Sequence, residues 1–129
     1  MVIDTSAIVA ILLDEPERPA FDRLIENDAT RLVSAITRVE VTFVIESRKG
    51  EPGRERLDRF FRLTGAEVVA ATPDQVETAC MAFRRFGKGQ HPAGLNLGDV
   101  FAYALAKTTG EPLLFKGEDF ARTDIASAA

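Results

Sequence analysis

Cysteine and histidine occur once each in this chain, as Cys80 and His91. A single cysteine excludes an internal disulfide and fits a reducing cytosol, so a cytoplasmic protein is expected. With one residue of each type there is no Cys/His cluster for zinc. Nor is there a plausible Ser/His or Cys/His pair for nucleophilic catalysis. Long apolar runs are missing too: no stretch approaches the roughly 18 residues of a membrane helix. The apolar run Ala7 to Leu13 follows Asp4 and no basic residue, the reverse of a signal peptide. A basic excess is also lacking. Lysine plus arginine number 16 against 20 acidic residues, a net charge of −4, which argues against a protein that simply coats nucleic acid. It leaves room for a local basic groove or a basic partner. What remains is 129 residues, 46% hydrophobic and 28% charged. These are the values of one globular domain large enough for its own core.

Turn and cap signals divide the chain into short apolar strands and helices, with no repeat or linker. Val2 to Asp4 reads as a buried strand. Thr5 or Ser6 caps a helix through Leu13, and Pro16 starts a second carrying Phe21, Leu24 and Ile25. Arg31 to Val33 is a strand. Ser34 caps a long helix to about Lys49 that Gly50 ends. Glu51-Pro52 opens another, with Leu57, Phe60, Phe61 and Leu63 facing in. Glu67 to Ala71 is a strand. Thr72 caps a helix to about Phe86, on which Cys80 aligns with Val76 and Phe83 as core. A Gly-rich loop holds His91, a helix spans about Leu97 to Thr109, and Leu113 to Phe115 is a strand. Such alternation predicts an α/β fold, a parallel sheet covered on both faces. Ligands of these sheets bind beyond the carboxyl ends of the strands.

Four acidic residues occupy places where a carboxylate is an odd choice for packing. Asp4 ends the first strand. Glu40 has Ile36, Thr37, Phe43 and Val44 three and four positions away, so its charge faces an apolar surface. Asp99 opens an apolar helix, and Asp119 follows a strand. Each has a plainer reading. Glu40 could pair with an arginine, Asp4 could cap a helix, Asp99 could favour a helix dipole, and Asp119 could form a turn. The topology can nevertheless gather all four at one sheet edge. Two like charges about 4 Å apart repel by about 4 kcal/mol at an effective dielectric near 20. Several such pairs would consume most of a typical stability of roughly 5–15 kcal/mol. The cluster must protonate, spread or bind a cation. Oxygen-only ligands suit Mg²⁺, or Mn²⁺, and a metal-activated water then hydrolyses a phosphate ester.

The segments Val2-Ile3-Asp4-Thr5-Ser6, Ser34-Ala35-Ile36-Thr37-Arg38-Val39-Glu40, Leu95-Asn96-Leu97-Gly98-Asp99 and Leu113-Leu114-Phe115-Lys116-Gly117-Glu118-Asp119-Phe120 occur in this order. Together they closely resemble the PIN-domain ribonucleases, specifically the VapC toxins of bacterial toxin–antitoxin pairs. The resemblance implies a single PIN domain over residues 1–129, a three-layer α/β/α sandwich with a mostly parallel central sheet. It implies Mg²⁺-dependent cleavage of RNA, a VapB-type antitoxin as inhibitor, a homodimer, and operator DNA reached only through the antitoxin. The family's catalytic quartet falls on Asp4, Glu40, Asp99 and Asp119, and Ser6 matches its polar residue supporting the first aspartate; within the quartet, Asp4 and Asp99 are expected to be the principal metal ligands. Asp124 is a further acidic candidate outside the quartet.

Arg84, Arg85, Lys88 and His91 form the most basic stretch, and Lys116 lies three residues before Asp119. Contact with RNA phosphates competes here with ordinary solvated positions. Among other enzymes, a haloacid-dehalogenase-type phosphotransferase needs a second aspartate where Ser6 stands. A phospho-receiver domain needs an aspartate ending the middle strand, and Glu67 to Ala71 lacks one. A nuclease acting on other nucleic acid uses the same pocket chemistry. A non-catalytic co-repressor partner of the antitoxin would have no use for an intact quartet.

Overall fold

The computed structural model describes residues 1–129. Its centre is a four-stranded sheet of β1 (Val2–Ile3), β2 (Leu32–Ser34), β3 (Glu67–Val69) and β4 (Leu113–Leu114) in the order β3-β2-β1-β4. All three pairings are parallel, and Val2 sits level with Leu32 and Leu113. Period-two alternation sorts the strand residues between two cores. Ile3, Val33 and Leu114 pack with α1 (Thr5–Leu12), α2 (Arg18–Asn27) and α3 (Ala35–Thr64). Val2, Leu32 and Leu113 pack with α4 (Pro73–Phe86) and α5 (Leu97–Thr109). The result is the expected α/β/α sandwich. Because β2 and β4 flank β1 on opposite sides, the chain diverges at β1, the kind of place where parallel sheets open a crevice at their carboxyl edge.

Helix starts follow side-chain chemistry. The Ser34 hydroxyl accepts from the Ile36 N–H at 3.2 Å and the Thr72 hydroxyl from that of Gln75 at 3.2 Å. At α1 the cap is Asp4 itself rather than Thr5 or Ser6, because its carboxylate reaches the Ser6 N–H at 3.0 Å. Pro16 does not open α2. That helix begins at Arg18, and Pro19 occupies its first turn. The two helices expected on either side of Gly50 form one element, α3, broken at that residue by φ +59°, ψ −142°. This backbone region is open almost solely to glycine.

Two helical faces differ from expectation. On α4 the buried positions are Gln75, Ala79, Ala82 and Phe86. Cys80 is exposed, as are Val76 and Phe83. The small Ala79 and Ala82 let α4 lie close on α5, which leaves the larger apolar residues outside. Likewise Leu57 and Phe60 face in, whereas Leu63 is 70% exposed. β3 is an edge strand with Glu67 and Val68 in solvent and Val69 half-buried against the core. No helix is long and apolar enough to cross a membrane.

Candidate metal-dependent nuclease site

Asp4 leaves the sheet at the carboxyl end of β1, its N–H still donating to the Leu114 carbonyl at 2.9 Å. The side chain is 2% exposed. One oxygen, Oδ2, accepts from both the N–H and the hydroxyl of Ser6, at 3.0 and 2.7 Å. The other, Oδ1, is buried with no partner. Ser6 Oγ in turn accepts from the Lys116 N–H at 2.9 Å, tying the start of α1 to the segment after β4. Ser6 thus supports Asp4 as expected, through a short chain of hydrogen bonds.

Glu40 is half-buried on α3 and has no arginine partner. Arg38 points away, pairing at 3.5 Å with Asp58 and lying over the Phe61 ring. Instead the Thr5 hydroxyl donates to Glu40 Oε1, and the carboxylate lies directly against Gly98 on α5. Asp99, the next residue, belongs to a capping box: Asn96 N–H donates to its Oδ2 and Asp99 N–H donates to Asn96 Oδ1, both at 3.0 Å. Asp119 is exposed just ahead of the 3₁₀ turn η1 (Phe120–Arg122) and makes no capping bond.

The plainer readings, Asp4 as a helix cap and Asp99 in the first turn at the positive end of its helix, are therefore true, and they do not exhaust these residues. Each uses Oδ2 on the backbone and keeps Oδ1 free of protein hydrogen bonds. The charges also feel one another. Burial first, and then the nearby Asp4, Glu40 and Asp119 charges, push Asp99 up to about 7, against the pull of the Asn96 N–H. Burial, with a smaller push from Glu40, raises Asp4 to about 6 despite the bonds from Ser6. All four sequence-identified carboxylates thus share one electrostatic neighbourhood at the carboxyl edge of the sheet.

The donor set fits a hard divalent cation. It is all oxygen, and the orphaned Oδ1 of Asp4 is a buried acceptor that lacks a positive partner. No three acidic side chains converge tightly enough to enclose an ion by themselves. That is compatible with Mg²⁺, which commonly takes one or two carboxylates and keeps several waters.

Other residues singled out by the sequence lie elsewhere. Asp124 accepts from the Tyr103 hydroxyl at 2.6 Å and pairs with Lys107 and Arg85 at 3.1 and 3.6 Å. It fastens the C-terminal segment to α4 and α5. His91 accepts the Ala93 N–H through Nδ1 at 3.0 Å and stacks edge-on against Phe86, an ordinary loop contact. Lys116 pairs with Glu15 and Glu17. The sequence reading missed the pairing of Thr5 with Glu40 and the role of Gly98. Its signals were the Asp-Thr-Ser order and a glycine immediately before an acidic residue.

A family model for the PIN domain matches residues 1–126. The chain belongs to the PIN-domain family. Within it, the chain is similar to VapC ribonucleases over its full length. Ribonuclease VapC30 of Mycobacterium tuberculosis is 52% identical over 129 residues, covering 100% of this chain and 98% of that protein. Ribonuclease VapC of Mycolicibacterium smegmatis is 51% identical over 127 residues, covering 98% of each. Among solved structures, the fold matches Mycobacterium tuberculosis VapC20, a sarcin-ricin-loop-cleaving toxin, with TM-score 0.77 at 17% identity over 97% of this chain and 95% of that one. It also matches VapBC2 of Rickettsia felis bound to a promoter DNA fragment, with TM-score 0.76 at 16% identity over 98% and 94%. This PIN chain is accordingly a VapC-type ribonuclease by family.

The raised carboxylates set a pH dependence for the metal-free protein. Both folded values exceed the ordinary 3.8, so between about pH 4 and 7 the folded chain retains protons that the unfolded chain has released. The pair's contribution to stability is greatest below about pH 4, declines as pH rises through the folded values, and is flat above about 7. Asp4 alone accounts for about 3 kcal/mol of that decline. In urea titrations without divalent ions, Asp4→Asn is expected to match wild type near pH 4 and exceed it at pH 8. Equal stability at pH 8 would contradict the strained carboxylate.

Proposed function

We propose that the protein is the toxin of a VapBC-type module, a Mg²⁺-dependent endoribonuclease (Mn²⁺ serving as substitute) that its antitoxin inhibits. The carrying observation is the orphaned, buried Oδ1 of Asp4 among mutually repelling carboxylates where β1 and β4 end. Asp4 and Asp99 would hold the ion through the oxygens they do not use as caps. When bound, the ion supplies a water nucleophile near neutral pH and neutralises the departing oxygen. Glu40, anchored through Oε1, orients the attacking water and accepts its proton. Asp119, at the exposed rim, completes the acidic pocket on the side open to RNA. The phosphodiester is hydrolysed with no covalent intermediate. Asp4→Asn is expected to remain folded while losing at least about a hundredfold in cleavage of RNA, a loss the size of general acid–base and electrostatic contributions. EDTA should silence wild type and Mg²⁺ restore it. RNA cleavage by the variant at the wild-type rate, with contaminating nuclease excluded, would refute the assignment.

The VapB-type partner is supported by a groove away from the carboxylates, of about 710 Å³, between α1, α2 and the second arm of α3. Its apolar members include Ile11, Leu12, Ile25, Phe60 and Leu63, and arginines 18, 31, 56 and 59 line it too. An amphipathic antitoxin segment suits such a surface. Operator DNA is then reached only through the antitoxin. Leu63→Asp is expected to cleave RNA like wild type but to escape neutralisation by antitoxin on co-expression. Full neutralisation would remove the groove from the interface.

The homodimer is assigned to the exposed Val39, Phe43 and Leu97, which are 51%, 69% and 73% accessible beside Glu40 and Gly98. Exposed apolar side chains grouped in this way can mark an interaction surface. Phe43→Glu should shift sedimentation from dimer to monomer. A wild-type monomer at micromolar concentration would refute this assembly.

A further inference from the structure

Glutamate is a long side chain with three rotatable bonds, and Glu40 sits among like charges. Asp4 and Asp99 both feel its negative charge, so electrostatics alone would swing its carboxylate out toward solvent. Two contacts oppose that. The Thr5 hydroxyl, one residue after Asp4, donates to Oε1. On the other side, a Cβ added at Gly98 would lie 2.1 Å from Oε2 and 2.5 Å from both Cδ and Oε1. The carboxylate therefore fills the volume that any side chain at position 98 would occupy. Gly98 is helical and buried, in the first turn of α5. Its backbone is not left-handed, so conformational freedom is no reason for glycine there.

We infer that Thr5 and Gly98 form a seat for the Glu40 carboxylate, and that both are positioning residues for the hydrolysis proposed above. Thr5 supplies the bond, and Gly98 supplies the space. The seat joins α1, α3 and α5 at one point. It aims Glu40 at the cluster formed by Asp4 and Asp99 rather than at solvent. Neither residue is assigned any contact with substrate or ion.

The inference rests on the proposed nuclease reading, and the test separates the two. Thr5→Val, Thr5→Ser and Gly98→Ala are compared with wild type in three measurements: RNA cleavage, Mn²⁺ binding by calorimetry without RNA, and thermal unfolding. Supporting residues around metal sites are typically worth about 10–100-fold in affinity or activity. Thr5→Val and Gly98→Ala should each lose about tenfold or more in kcat, with weaker Mn²⁺ binding and KM little changed. Thr5→Ser keeps the hydroxyl and should stay within about twofold of wild type on the same grounds. Alanine favours helix over glycine, so Gly98→Ala should unfold no earlier than wild type even as cleavage falls. A residue that merely supports the fold would lose melting temperature and activity together.

Wild-type cleavage and Mn²⁺ binding in both Thr5→Val and Gly98→Ala would overturn the seat. So would Thr5→Ser being as impaired as Thr5→Val, or losses that follow a fall in melting temperature. Wild-type protein that neither binds Mn²⁺ nor cleaves RNA would instead overturn the nuclease reading from which the seat takes its purpose.

Discussion

Repulsion among carboxylates is the constraint around which this fold is arranged. Four acidic residues from four separate stretches of chain lie within one another's electrostatic reach at one edge of a short parallel sheet. The two best buried are pushed well above their ordinary values. Their burial lowers the stability of the metal-free fold at neutral pH, and it has a structural counterpart. Asp4 and Asp99 are each held by helix-start N–H groups, which stabilise negative charge and orient one oxygen while leaving the other free. Glu40 is held by a hydroxyl from the neighbouring element. The scaffold thus confines charges that would otherwise disperse, which is the preorganisation that the proposed metal site would need.

Much of this was legible in the sequence because it is encoded locally. Ser34 and Thr72 announce helix starts through bonds only two or three residues long. Asp4, Glu40 and Asp99 stand out because a carboxylate interrupts an apolar pattern. The parallel sheet follows from strands that alternate with helices. The four motifs together carried the PIN resemblance, which full-length similarity to VapC ribonucleases bears out.

What escaped depends on contacts between distant segments. Cys80, Val76 and Phe83 satisfy helical spacing for a buried stripe, but the stripe that packs is Gln75, Ala79, Ala82 and Phe86. Periodicity shows that a helix has a face, whereas the fit of α4 on α5 selects which face. Leu63 extends an apolar pattern into solvent for the same reason. The partner of Glu40 was equally hidden. An arginine was the obvious candidate, yet the partner is a threonine 35 residues away. Gly98 shows its purpose only once α3 lies across it.

The break at Gly50 has a consequence for the whole shape. Thirty residues of uninterrupted helix would make a rod of roughly 45 Å, against a radius of gyration of about 14 Å for a domain of this length. The turn folds that rod into a bracket. Ile45 on one arm and Leu57 on the other enter the same core. Gly53 forms the inner corner, where an added Cβ would stand 2.7 Å from that of Lys49 and 2.9 Å from Ile45. One arm carries Glu40 and the other supplies Phe60 and Leu63 to the groove. The dihedral angles of one exposed glycine therefore set the bearing between the carboxylate edge and the groove.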